Sequence, residues 1–78
     1  MQIVTVGVKV CKEKTEEGDE EGTLETVDVF SEDLLVSGID DAISAHGGPD
    51  LVQFIAVVPT KFTYGGQLDG VTLVIGLK

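Results

Sequence analysis

The sequence predicts an α+β fold in the order β-β-α-β-β, with one antiparallel or mixed four-stranded sheet and a single helix packed on one face. Four segments alternate apolar and polar residues with the period of a strand, and one segment between them repeats its apolar residues with the period of a helix. The chain has only 78 residues and no internal linker, so we expect a single domain, residues 1–78. A fifth short strand at residues 61–64 is left open.

Residues 2–11 and residues 23–30 are the first two predicted strands. Valines occupy every second position from 4 to 10 and define one apolar face, and β-branched residues of this kind suit a pleated, half-buried surface. In the second strand, Val27 and Val29 continue the alternation. The two strands are therefore expected to form an antiparallel hairpin. Its connection, residues 12–22, has the sequence KEKTEEGDEEG, which predicts a flexible acidic loop.

The segment that starts at Ser31 and ends at residue 46 has the signals of an amphipathic helix. Ser31 is a favourable N-cap, and Glu32 and Asp33 place negative charge in the first turn, where the helix dipole favours it. Gly38 weakens a helix, which leaves open a turn followed by a shorter helix. Gly47 suits a left-handed C-terminal cap. The predicted apolar face consists of Leu35, Ile39, Ala42, Ile43 and His46.

Two further strands are predicted after the helix. Residues 51–58 form an apolar run, and Pro59 either ends this strand or marks a kink at a sheet edge. Residues 65–70 have the composition of a turn, and residues 71–77 form the last strand. The residues assigned to the buried face are Val52, Phe54, Ala56 and Val58 in the first of these strands and Val71, Leu73, Ile75 and Leu77 in the second.

The second face of the predicted sheet carries an apolar cluster. Alternation assigns Ile55, Val57 and Val74 to this face. An apolar patch on a small domain often marks a protein contact, although ordinary partial exposure is the alternative. A homodimer formed through these three residues is the simplest such contact.

Charge is the most unusual property of the chain. The net charge is −9, from 14 acidic residues and five lysines, with no arginine. Residues 12–41 carry twelve acids and two lysines, a net of −10, and the remainder carries two acids and three lysines, a net of +1. Direct binding to nucleic acid or to an anionic membrane is disfavoured, so a basic protein surface is the expected partner. The predicted partner-binding residues are Glu13, Glu16, Glu17, Asp19, Glu20, Glu21, Glu25, Asp28, Glu32, Asp33, Asp40 and Asp41.

Catalytic and metal-binding chemistry is not predicted. His46 is the only histidine and Cys11 the only cysteine, so the chain offers neither a zinc ligand set nor an internal disulfide. The stretch EEGDEEG lacks the ligand spacing of a calcium loop, and GGQLDGVT lacks the lysine of a phosphate loop. We expect a non-enzymatic protein without cofactor or metal. The absence of a signal-peptide pattern and of a long apolar run predicts a cytoplasmic location.

At the level of class, the chain resembles small phage-encoded inhibitors of host defence, among them anti-CRISPR and anti-restriction proteins. The resemblance rests on the short length, the −10 segment, the lack of arginine and the order of elements. It implies a nucleic-acid mimic that occupies the nucleic-acid-binding surface of a CRISPR effector or nuclease in an infected host cell. The alternative is a structural or assembly protein, such as a homo-oligomeric virion component, that uses the apolar second face and whose acids maintain solubility.

Overall fold

The computed structural model describes residues 1–18 and 22–78 and confirms the α+β class. Within these residues, five strands and one α-helix follow in the order β-β-β-α-β-β, with a short 3-10 helix, Pro49–Leu51, after the α-helix. Two sheets, of three and two strands, replace the single four-stranded sheet that was predicted. The elements are β1 Gln2–Lys9, β2 Cys11–Glu17, β3 Leu24–Phe30, α1 Glu32–Ala45, β4 Val52–Phe62 and β5 Leu68–Leu77.

The three-stranded sheet, called the main sheet here, has the antiparallel order β1-β5-β4 and is covered on one face by α1. As predicted, every second side chain of β5 from residue 71 to residue 77 is buried. This follows because the central strand has a neighbour on each side and the helix above it. The core consists of Val10, Ala42, Val71, Leu73, Ile75 and Leu77, flanked by the partly buried Val4, Val6, Val8, Leu35, Ile39, Val52, Ile55 and Leu68.

The second sheet is a two-stranded ribbon of β2 and β3, called the arm here. Two predictions are wrong at this point: residues 12–17 belong to a strand and not to a loop, and β3 pairs with β2 while β1 pairs with β5. In the arm, Lys12 lies opposite Val29 and Lys14 opposite Val27, so aliphatic lysine stems stand beside the valines on one face. Of the remaining predicted loop residues, Asp19, Glu20 and Glu21 lie outside the described residues.

The helix α1 confirms the predicted helix and its caps. The Ser31 hydroxyl accepts a hydrogen bond from the Leu34 N–H at 3.4 Å, and Gly47 has a φ of +100° at the C-terminal end. Gly38 does not split the helix, which is continuous from Glu32 to Ala45. A Cβ atom at position 38 would overlap a methyl group of Val8 in β1. Glycine is therefore needed here because α1 approaches β1 closely.

The strand β4 lies at one edge of the main sheet and continues through Pro59 to Phe62. Of the two alternatives for Pro59, the sheet edge is confirmed and the strand end is wrong. The extension to Phe62 also absorbs part of the fifth short strand that was left open. The register with β5 is interrupted between Val52 and Phe54 and on both sides of Lys61.

The first interruption reverses the predicted faces of β4 from Phe54 onward. Phe54, Ala56 and Val58 were predicted to be buried, and this is wrong, because they lie on the face away from the core. Ile55 lies opposite the buried Ile75, and Val57 shares that face, whereas Val74 lies on the other face. The prediction that Ile55, Val57 and Val74 share one face is therefore wrong, because one extra residue in a strand shifts the alternation by one. The face of the main sheet away from α1, called the outer face, instead carries Ile3, Thr5, Gly7, Lys9, Phe54, Ala56, Val58, Gly70, Thr72, Val74 and Gly76.

Candidate functional site

The arm displays acidic side chains on both of its faces. Residues directly opposite one another in a ladder share a face, so Glu13 stands beside Asp28 on one face and Glu16 beside Glu25 on the other. Glu17 extends the first face toward the tip of the arm. All five side chains are exposed. The structure thus brings five of the predicted partner-binding acids together on a ribbon that is accessible from both sides.

These acids do not stabilise the arm. Like charges directly opposite one another in an antiparallel sheet are destabilising, and the arm contains two such pairs. The one ion pair among the described residues joins Lys14 Nζ to Glu16 Oε1 at 3.9 Å, and the two side chains are 61% and 49% exposed. An exposed pair of this kind contributes only about 0–1 kcal/mol. The stability of the fold therefore does not explain why the arm is acidic.

The helix carries a second group of the acids that were predicted to bind a partner. Glu32 and Asp33 lie in the first turn of α1, directly after β3 ends at the base of the arm. Asp40 and Asp41 lie two turns further along, and all four side chains are exposed. Asp41 lines a groove between α1 and β1. The helix acids are therefore spread along α1, whereas the arm acids face one another in pairs.

The outer face has a basic region that the sequence did not reveal. A shallow depression of about 390 Å³ is lined by Lys9 and Lys61, with Gly7 and Gly70 among its other residues and Asp69 as its one acid. The two lysines are distant in the sequence and come together because Gly70 pairs with both of them, one on each neighbouring strand. No local pattern could have placed them side by side, because their proximity depends on the strand order.

Cys11 occupies the junction between β1 and the arm, where it is buried with 1% of its surface exposed. Its Sγ donates a hydrogen bond to the Leu68 carbonyl at 2.7 Å. Burial raises the pKa of the Cys11 thiol, and the carboxylates of Asp69 and Asp28 raise it further, against an opposing effect of Lys9. The thiol is therefore held in its protonated form, which suits a packed residue and not a nucleophile.

We expect the protein to lose stability at alkaline pH through Cys11. The folded state raises the thiol pKa, so the folded state holds this proton more tightly than the unfolded chain does. The stability that the protonated Cys11 thiol contributes is complete below the thiol pKa of the unfolded chain, about 8.5. It is lost as the pH rises above that value. A Cys11→Ser variant keeps a donor for the Leu68 carbonyl but does not titrate in this range. Its melting temperature should fall less than that of the wild type above about pH 8.5; equal decreases would rule out the thiol as the cause.

The remaining candidate chemistry is limited. The His46 N–H donates to the Ile43 carbonyl at 3.2 Å, which places this residue at the C-terminal cap of α1. Residues 1–18 and 22–78 contain no group of three or more His, Cys, Asp or Glu side chains that could hold a metal ion. Within the same residues, no helix has the length and apolar character needed to cross a membrane. No protein-family model, curated protein or solved structure matches the chain.

Proposed function

We propose that the chain is a non-enzymatic protein-binding domain whose arm occupies a basic, nucleic-acid-binding surface of a partner protein. The observation that carries the proposal is the pairing of like charges across the arm, Glu13 with Asp28 and Glu16 with Glu25. This arrangement costs folding free energy, and among the described residues the exposed Lys14–Glu16 ion pair is its one, weak, compensating contact. Departures from the rules of stable folding are expected at functional sites, so a contact with another molecule accounts for it.

The shape of the molecule supports this role. It measures 56 by 19 by 12 Å, and the arm is only two strands wide. A narrow ribbon can enter a cleft that a broad surface cannot, and acids on both faces meet basic residues on both walls. Complementary charge of this kind accelerates association and makes it sensitive to salt.

Binding to arginine or lysine would also remove the repulsion within the arm. A guanidinium group placed between Glu13 and Asp28 offsets one of the two negative charges and makes charge-assisted hydrogen bonds to both carboxylates. Closely spaced arginines and lysines are the groups that nucleic-acid-binding proteins present to phosphates. This chemistry favours a nucleic-acid-binding partner, such as a CRISPR effector or nuclease, over a basic surface with widely separated charges.

An arm-neutral variant tests the proposal by removing the paired acids. It carries the substitutions Glu13→Gln, Glu16→Gln, Glu25→Gln and Asp28→Asn. Immobilised wild-type protein is expected to retain nucleic-acid-binding proteins from a host lysate and to release them when duplex DNA or salt is added. Each charge-assisted contact contributes about 1.5–3 kcal/mol, so the variant should retain these proteins at least about tenfold less well.

A helix-neutral variant is the matched control. It removes the same number of charges through Glu32→Gln, Asp33→Asn, Asp40→Asn and Asp41→Asn, and its retention should stay close to that of the wild type. Equal losses in both variants would show that only net charge matters. Unchanged retention by the arm-neutral variant would contradict the proposal. The melting temperature of each variant reports whether it is folded.

A role in assembly is a second candidate, because the outer face carries apolar side chains and few acids. Ile3, Phe54 and Val58 on this face are 56%, 41% and 42% exposed. Because Ile55 and Val57 lie on the opposite face, the patch differs from the one that the sequence predicted. A Val58→Lys substitution places a charge in this patch and should dissociate any oligomer that forms through it.

A further inference from the structure

The main sheet has two edges, and only one of them is protected. The edge strand β4 contains Pro59 and Lys61, and its register with β5 is interrupted in three places. Such features hinder the pairing of a further strand. By contrast, β1 pairs with β5 residue by residue from Gln2 to Lys9, without a bulge or a proline. In the described part of the chain no strand pairs with its other edge, which leaves a regular template of eight residues.

The composition of β1 favours pairing with a second copy of the same strand. The chain has 14 acidic residues, but none of them lies in β1. Pairing through β1 therefore brings no acidic side chain of the strand itself against the second copy, although each chain has a net charge of −9. Val4, Val6 and Val8 are only partly buried on the face toward α1, so they have apolar surface left to cover.

We propose that the free edge of β1 pairs antiparallel with β1 of a second copy and joins the two main sheets into one continuous six-stranded sheet. The direction follows from the charge distribution. The C-terminal end of β1 leads directly into the arm, so a parallel pair would place two acidic arms side by side. An antiparallel pair sends them to opposite ends of the dimer. Centred on Val6, this pairing sets Val4 against Val8 of the second copy.

The space beside β1 accommodates the incoming strand. An open groove of about 460 Å³ lies between α1 and β1, and its lining includes Val6, Val8 and Leu34. The side of α1 that borders the groove carries the small residues Gly38 and Ala45, which allow close approach, and Asp41 is the one acid in its lining. Pairing would thus extend an apolar core that is small for an independent domain. The inference does not depend on what the arm binds.

The oligomeric state of purified protein tests the pairing. Sedimentation of the wild type is expected to give twice the chain mass of 8.2 kDa, with dissociation on dilution. Thr5 is exposed on the outer face at the middle of β1, so a charge there should not disturb the core. Thr5→Lys and Thr5→Glu should each sediment as a single chain, because residue 5 of each copy lies opposite Gly7 of the other and the two like charges are diagonal neighbours about 7–8 Å apart on the outer face. An equimolar mixture of the two should recover the double mass.

The control is Val58→Lys on the protected strand β4, which also adds a lysine to the outer face. Edge pairing predicts that this variant keeps the double mass, whereas stacking of two outer faces predicts that it dissociates. A single-chain mass for the wild type at every concentration, or dissociation caused by Val58→Lys, would overturn the proposal. Circular dichroism of each variant establishes that it is folded before its mass is interpreted.

Discussion

Replacing Leu73 with alanine is expected to reduce the free energy of unfolding by about 2–5 kcal/mol. Leu73 has no exposed surface and lies in the central strand, between β1 and β4 and within the core cluster that α1 covers. The substitution removes buried methyl groups and leaves a cavity that the surrounding strands cannot close completely. A core of this size supplies only about 3–5 kcal/mol, so much of the variant population should be unfolded at room temperature. Urea denaturation followed by circular dichroism measures the effect.

The neighbouring residue provides the control. Val74 follows Leu73 on β5 but points to the outer face, where it is partly exposed. A Val74→Ala substitution should cost about 1 kcal/mol or less, because its side chain can be hydrated and no closed cavity forms. A loss as large as that of Leu73→Ala would contradict the assignment of the two faces.

Replacing Gly38 with valine is expected to reduce the free energy of unfolding by about 1–3 kcal/mol, despite the poor helix propensity of glycine. A Cβ atom at this position would occupy the space of a Val8 methyl group. Either Val8 must change rotamer or α1 must move away from β1. Thermal unfolding measures the effect, and 1 kcal/mol corresponds to about 4–8 °C in Tm for a domain of this length.

A second substitution identifies the contact responsible. In a Val8→Ala background the clash is relieved, so Gly38→Val should cost less there than in the wild type, with a coupling of about 0.5–3 kcal/mol. Gly65→Ala is the control, because a Cβ at that glycine meets no heavy atom within 4 Å, and it should change stability by less than about 0.5 kcal/mol. Additive effects of the Gly38 and Val8 substitutions would show that the two residues do not limit each other.

The helix was the most predictable element, because its signals are local. Ser31 as N-cap and Gly47 as left-handed cap are recognised within a few residues of sequence, and both are found where they were expected. The alternation in residues 71–77 was equally sufficient, since it identified the four buried side chains of β5. Alternation in β1 also identified its valine face correctly.

The strand β2 was missed because its composition obscured its pattern. Its residues are mostly charged, and Lys12 and Lys14 gain a strand environment only because the valines of β3 stand opposite them. The alternation of residues also predicted the wrong buried face for β4, because the interruption before Phe54 places Ile55 on the core face. A bulge depends on how two strands fit together, so the sequence of one strand does not reveal it.

The candidate site likewise combines features that the sequence shows with features that only the folded chain shows. The concentration of acid in residues 12–41, the capped helix and the apolar face of β5 were apparent from the sequence, because charge and periodicity are properties of the chain itself. Which acids face one another in the arm, why Gly38 is required and which edge of the main sheet is unprotected became apparent only in the folded chain. These features depend on strand pairing and on the contact of α1 with β1, which join residues distant in sequence and leave no local pattern.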